Sequence, residues 1–139
     1  MALRGGCLFD EQDFKNLQGC GIEVGDEYLF VIENTFDGKL REPGFRMKYP
    51  IKITWDELIS GNFISATIVG SMHKEFFVFG ETGIWGKYAA SDYQVPTDII
   101  GFQSKYASVF REKFKVSNSE RQKVYSSLPV QYQELIKLP

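Results

Sequence analysis

Residues 75–90, EFFVFGETGIWGKYAA, leave the chain few ways to fold. Lys74–Phe79 and Ile84–Ala90 are rich in the aromatic and aliphatic residues that suit strands, and Glu81-Thr82-Gly83 between them is turn chemistry. Two strands joined so closely can only pair antiparallel. Gly80, Gly83 and Gly86 share a three-residue spacing that invites comparison with a phosphate-binding loop. Such a loop must open a helix, so that its amides and the helix N-terminus meet the phosphate. Here Lys87 is followed by Tyr88 rather than Ser or Thr, and KYAASDY has no helical pattern. The stretch reads as a hairpin. Gly80 and Gly83 are expected to supply positive-φ turn residues, Gly86 to allow close packing, and Trp85 to anchor the core.

The remaining segments extend that hairpin into a sheet. Glu27–Phe36, EYLFVIENTF, is apolar on both faces for most of its length and reads as a buried strand closed by Asp37-Gly38. Pro43, Gly44 and Pro50 make the next segment a loop with an edge strand around FRMKY. Phe63–Ser71 is a further strand candidate, joined to Lys74–Phe79 through a turn at Met72-His73. Helices are expected at Asp10–Leu17, with Gly19, Gly21 and Gly25 breaking the pattern, and at Trp55–Ser60, opened by a Thr54/Glu57 capping box. Beyond Pro96 the period changes. Phe102, Tyr106, Val109, Phe110 and Phe114 predict a helix with one aromatic face. A second capping box, Ser117 to Glu120, opens a helix ending near Leu128, and Pro129 starts a last one with Tyr132, Leu135 and Ile136 on one side. The expected class is α+β: one antiparallel meander sheet, an N-terminal helix, one inserted short helix and two to three C-terminal helices.

A chain of 139 residues, 43% hydrophobic, fits a single domain able to bury about two thirds of its unfolded surface. No run approaches the ~18 apolar residues of a membrane span. Ala2 and Leu3, ahead of Gly5-Gly6-Cys7, are too few for a signal-peptide apolar region, so a cytoplasmic location is expected. Cys7 and Cys20 lack the companions of a zinc site and are expected as free thiols.

Candidate chemistry is sparse. His73, the single histidine, has no orienting carboxylate or nucleophile in any motif. Asp26-Glu27 and Asp56-Glu57 are the carboxylate pairs to weigh for hydrolysis, but sequence neighbours on a strand point to opposite faces, and Glu57 belongs to a cap. No metal or cofactor is expected. Charge is unevenly spread. Between Cys7 and Asp37 eight acids face one base, a balance of −7, whereas Ile100–Pro139 has seven bases and three acids, +4. The basic tail shares its segments with core-spaced aromatics, and the acidic front would repel a polyanion, so nucleic acid is not the expected partner. The acids Asp10, Glu11, Asp13, Glu23, Asp26 and Glu27 are the candidate contacts for a basic protein.

ITWDELISGNFI, then EFFVFGETGIWGKYAASDYQVPTDIIGF, then a helical end give residues 51–115 an overall pattern that resembles bacterial immunity proteins encoded beside polymorphic toxins, including those of contact-dependent growth inhibition. The resemblance implies a non-catalytic cytosolic inhibitor that binds the toxic domain of a cognate effector, often a nuclease and therefore basic. No motif transfers individual binding residues. A small hydrolase, a nucleic-acid-binding domain and a small-molecule sensor on the meander are the competing classes.

Overall fold

A computed structural model describes residues 2–4, 10–33, 46–60, 76–90 and 97–127, together with 130 and 133. Six strands form one antiparallel sheet: β1 (Ala2–Arg4), β2 (Tyr28–Glu33), β3 (Arg46–Pro50), β4 (Phe76–Gly80), β5 (Trp85–Ala90) and β6 (Thr97–Phe102). Their order is β1-β6-β5-β4-β2-β3, so β4, β5 and β6 make a meander with β2 beside β4 and β3 on the far edge. The helices fully within the described residues are α1 (Glu11–Val24), α2 (Trp55–Ser60), α3 (Ala107–Lys113) and α4 (Asn118–Ser127), with a 3-10 turn at Ser104–Tyr106 before α3. The class is α+β. The expected strand at 63–71, the turns at Met72-His73 and Asp37-Gly38, and Tyr132, Leu135 and Ile136 of the expected last helix lie outside the described residues; Val130 and Gln133, within them, are helical.

α1 starts where Asp10 caps it, accepting from Asp13 N at 2.7 Å. It does not stop at Gly19 or Gly21 as the glycine spacing suggests; it runs to Val24, and Gly25 closes it at φ +91°. Each helical glycine costs about 1 kcal/mol relative to alanine, but Gly21 lies where a Cβ would come within 2.8 Å of Ile51 Cδ1. Close packing outweighs propensity there. α2 begins as expected: Thr54 N donates to Glu57 Oε2 at 2.9 Å and Glu57 N to Thr54 Oγ1 at 3.2 Å. The Thr54 N–H bond, joined by the Thr54 hydroxyl donating to the same Oε2 at 2.8 Å, also holds the Glu57 carboxyl below its usual range.

Phe102 is a correction. It belongs to β6, opposite Trp85, and only residues after it turn helical. Its inward ring nevertheless serves the expected aromatic cluster, stacking on Phe110 with centroids 4.8 Å apart. Phe14, Leu17 and Cys20 of α1, Leu58 of α2, Phe110 of α3 and Phe114 at its C-cap form one core with Leu29, Val31, Phe76, Val78, Trp85 and Ile100. α1, α2 and α3 therefore cover one face of the sheet. Gln18 fastens the post-β3 segment to α1, its Nε2 donating to Ile51 O and Ile53 O. Among the described residues no helix is long and apolar enough to cross a membrane.

Candidate functional site

The six acids of the expected contact surface do not gather into one patch. Asp10, Glu11 and Asp13 sit at the start of α1, and Glu23, Asp26 and Glu27 at its end. A 14-residue helix separates the two groups by about 21 Å. Each of the first three has a local task. Asp10 is the N-cap; Glu11 pairs with Lys15 at 2.6 Å and complements the helix dipole; Asp13 is half-buried. Burial pushes the Asp13 carboxyl up, Asp10 and Asp98 add to the rise, and Lys87 opposes it. Glu23 and Glu27 are exposed.

Asp26 is withdrawn from the surface altogether, at 4% exposure. Its Oδ1 accepts from Thr82 N at 2.9 Å and Thr82 Oγ1 at 2.7 Å, and its Oδ2 accepts from the Trp85 indole Nε1 at 2.7 Å. A carboxylate engaged this way ties the α1–β2 corner to the β4–β5 turn and is not available to a partner. It also explains Gly80. That residue does not have the positive φ its place before the turn suggests; of the two turn glycines Gly83 alone does, at +65°. Gly80 is required because a Cβ there would collide with the Asp26 carboxylate. Trp85, 3% exposed, is the expected core anchor. Around this corner Gly25, Glu27, Tyr28, Pro50 and Lys52 border a shallow groove of about 430 Å³.

A buried charge pair lies under α1. Lys87 Nζ stands 3.1 Å from Asp98 Oδ2, with both side chains 1% exposed or less. Lys87 is opposite Ile100 and Asp98 opposite Ala89, so the two meet diagonally on the helix-covered face. Lys87, once weighed as a phosphate lysine, therefore points into the core. Cys20 is a buried free thiol whose Sγ lies 3.8 Å from Val109 O; burial pushes it up to about 12, so it is unreactive at neutral pH. Among the described residues, no group of three His, Cys, Asp or Glu side chains could hold a metal ion. His73 and Cys7 lie outside them.

The other face of the sheet differs in kind. Alternation turns Tyr28, Phe30, Ile32, Phe77, Phe79, Tyr88 and Ile99 away from the helices. None of these seven belongs to the core cluster or packs against it. Phe77 is 40% exposed and the other six are half-buried. Their rings pair across strands, Phe30 with Phe79 and Phe77 with Tyr88. Lys48, from β3, rests its Nζ 3.6 Å from the centre of the Tyr28 ring. The sequence hints at this surface in FFVF and YLFVI, whose apolar residues occupy both parities. Both-face apolarity reads as burial on both faces; among the described residues, α1, α2 and α3 pack on the inward one.

No protein-family model, curated protein or solved structure matches the chain.

Proposed function

We propose that this protein is a cytosolic binding inhibitor, of the immunity-protein kind, that occupies the toxic domain of a cognate bacterial toxin and catalyses nothing. The observation that carries the reading is the outward aromatic face of the sheet, seven large apolar residues standing outside the core cluster. Exposed apolar patches on small domains mark interaction sites, and on this face Phe77 is 40% exposed and its six neighbours are half-buried. The buried ionisable groups support the same reading, because Asp26 and the Lys87–Asp98 pair are engaged in holding the fold. If the target is a basic nuclease domain, the exposed acids Asp10, Glu11, Glu23 and Glu27 steer its approach over long range.

The test is stoichiometric. The tagged protein, isolated from its native host and analysed by native mass spectrometry, should carry one equivalent of a toxic domain. Titrated against that domain in its own activity assay, protection should saturate near equal concentrations. Protection at small fractions of an equivalent would mean turnover, and would replace the inhibitor with an enzyme.

A further inference from the structure

Asp26 accepts hydrogen bonds on both carboxylate oxygens, the pattern of the ionised form. All three donors are neutral: the Thr82 amide, the Thr82 hydroxyl and the Trp85 indole. No ion pair among the described residues reaches it. Burying a charge is costly unless it is paired, so a buried carboxylate as a rule has a cation beside it. Asp98, also buried, has the Lys87 ammonium 3.1 Å away. Asp26 has neutral dipoles, and it borders the groove at the α1–β2 corner.

That groove, of about 430 Å³, lies between the end of α1 and the end of β3. The residues bordering it all belong to the described ones, so its shape does not depend on the rest of the chain. Charge around it is lopsided. Glu27 is exposed on the border, and Glu81 stands beside it, Glu81 Oε2 accepting from Glu27 N at 3.2 Å. α1 ends at the same corner with no base in its last turn, so its own side chains leave the negative end of the helix dipole unanswered. Lys52 is the single base on the border, and neither it nor Glu27 forms an ion pair among the described residues. Lys48 is nearby but rests on the Tyr28 ring. Acids outnumber bases around the groove, and the innermost acid is the one without a counter-ion.

Shape narrows the occupant. A small free molecule needs most of its surface enclosed, which a shallow groove does not offer. A side chain carried by a larger body has no such need. Pro50 and Ile51 give an aliphatic stem apolar contact, while the Tyr28 ring already holds a cation 3.6 Å from its centre. An incoming cation is therefore left to the carboxylates. Arginine suits them better than lysine, because guanidinium is more weakly hydrated and its planar fork matches a carboxylate.

Building on the reading of this protein as a binding inhibitor, we infer that the groove receives an arginine side chain of the partner protein. Its guanidinium pairs with Glu27 and brings a positive charge close to Asp26. The Asp26 carboxylate keeps its three hydrogen bonds and acts through its field, which is poorly screened at a buried site. Tyr28 belongs both to the groove and to the outward aromatic face, so one partner can span the two.

Doubly capped Ala-Arg-Ala, Ala-Lys-Ala and Ala-Glu-Ala tripeptides, titrated at low salt into the isotope-labelled full chain and followed by amide NMR, are the probe. The arginine peptide should shift the amides of Gly25, Glu27 and Lys52 and leave those of Asp10 and Glu11, at the other acidic end of α1, in place. Its affinity should fall about two- to fivefold in Glu27→Gln and rise by a similar factor in Lys52→Gln. Both residues are exposed and form no ion pair, so urea midpoints should stay unchanged. The opposite signs separate charge from structural disturbance, which would weaken binding in both variants. Equal shifts at Asp10 and Glu11, affinity indifferent to both variants, or equal binding of the lysine or glutamate peptide would overturn the inference. Groove shifts that appear with rising protein concentration and no peptide would replace the partner with a second copy. The two readings fail separately. A toxic domain bound equally by wild type, Glu27→Gln and Lys52→Gln removes the groove and leaves the inhibitor. Arginine seated in the groove with no toxin protected removes the inhibitor and leaves the groove.

Discussion

Asp26 and Gly80 offer the sharpest check on how the fold is held, because their coupling has a sign that simple destabilisation does not. In Asp26→Ala the Trp85 indole N–H loses its acceptor in a site only 3% exposed, where water does not readily replace it. A hydrogen bond to a charged acceptor contributes about 1.5–3 kcal/mol, and leaving a buried donor unsatisfied costs a similar amount. Thr82 is exposed, so its N–H and hydroxyl recover partners from solvent and add little. Relief from burying the carboxylate offsets part of the loss. The expected net cost is about 2–4 kcal/mol, a large share of a typical 5–15 kcal/mol stability. Asp26→Asn should not rescue it, since an amide NH2 must then face either the Trp85 N–H or the Thr82 N–H, donor against donor.

Gly80→Ala in the wild-type background drives a methyl into the carboxylate and should cost about as much as losing it, again about 2–4 kcal/mol. In the Asp26→Ala background the obstacle is gone. The methyl enters vacated space, and alanine lowers the entropy of the unfolded chain, worth about 0.4–1 kcal/mol. The double variant should therefore be no less stable than Asp26→Ala alone, a coupling of about 2 kcal/mol or more in a double-mutant cycle. Urea melts followed by tryptophan fluorescence measure all four corners, with equal m-values as the condition for comparison. Additive losses would refute the collision and leave Gly80 a backbone requirement unrelated to Asp26.

Asp98→Ala should destabilise by about 3–5 kcal/mol by taking the carboxylate away from the buried Lys87 ammonium, while the apolar pair Lys87→Met with Asp98→Leu should recover most of that in the same melts. Asp13, whose carboxyl is raised by burial, takes up its proton more readily when folded, so its ionised form opposes folding at pH above its folded value. Asp13→Asn should thus match or exceed wild type in stability at neutral pH. That advantage should vanish as pH falls below the ordinary aspartate value of 3.8, and a constant difference across the titration would refute the assignment. In a Cys7→Ser background, Cys20 should react with a disulfide reagent only at the rate of unfolding, because it is buried and its thiol is pushed up to about 12.

What the sequence made legible was local. The Thr54–Glu57 cap, the Gly83 turn and the hairpin around it are each complete within a few residues, so their physics is visible without a fold. Asp26 is the opposite case. Its partners lie 56 and 59 residues away, and nothing in VGDEY separates an exposed acid from one that organises the core. Gly21 misled because propensity sees a helix breaker where tertiary packing needs a missing Cβ, whereas at Gly19 a Cβ would make only ordinary contacts and the helix simply tolerates the glycine. Thr97–Phe102 was lost to the helix after it because an aromatic stripe at helical spacing overlaps the inward parity of a strand at Phe102 alone.

The acids and the glycines show how sequence separation misleads about surfaces in both directions. Eight acids in 31 residues looked concentrated, but a helix carries its two ends about 21 Å apart and spends the acids at each on capping, pairing and a turn. Gly86 and Gly101 belong to segments that looked unrelated, one a hairpin and the other the approach to a helix, yet antiparallel register sets them side by side. A partner meets the surface that register creates. Asp26 shows the converse, an acid of the apparent front that the fold draws into the interior to hold Thr82 and Trp85.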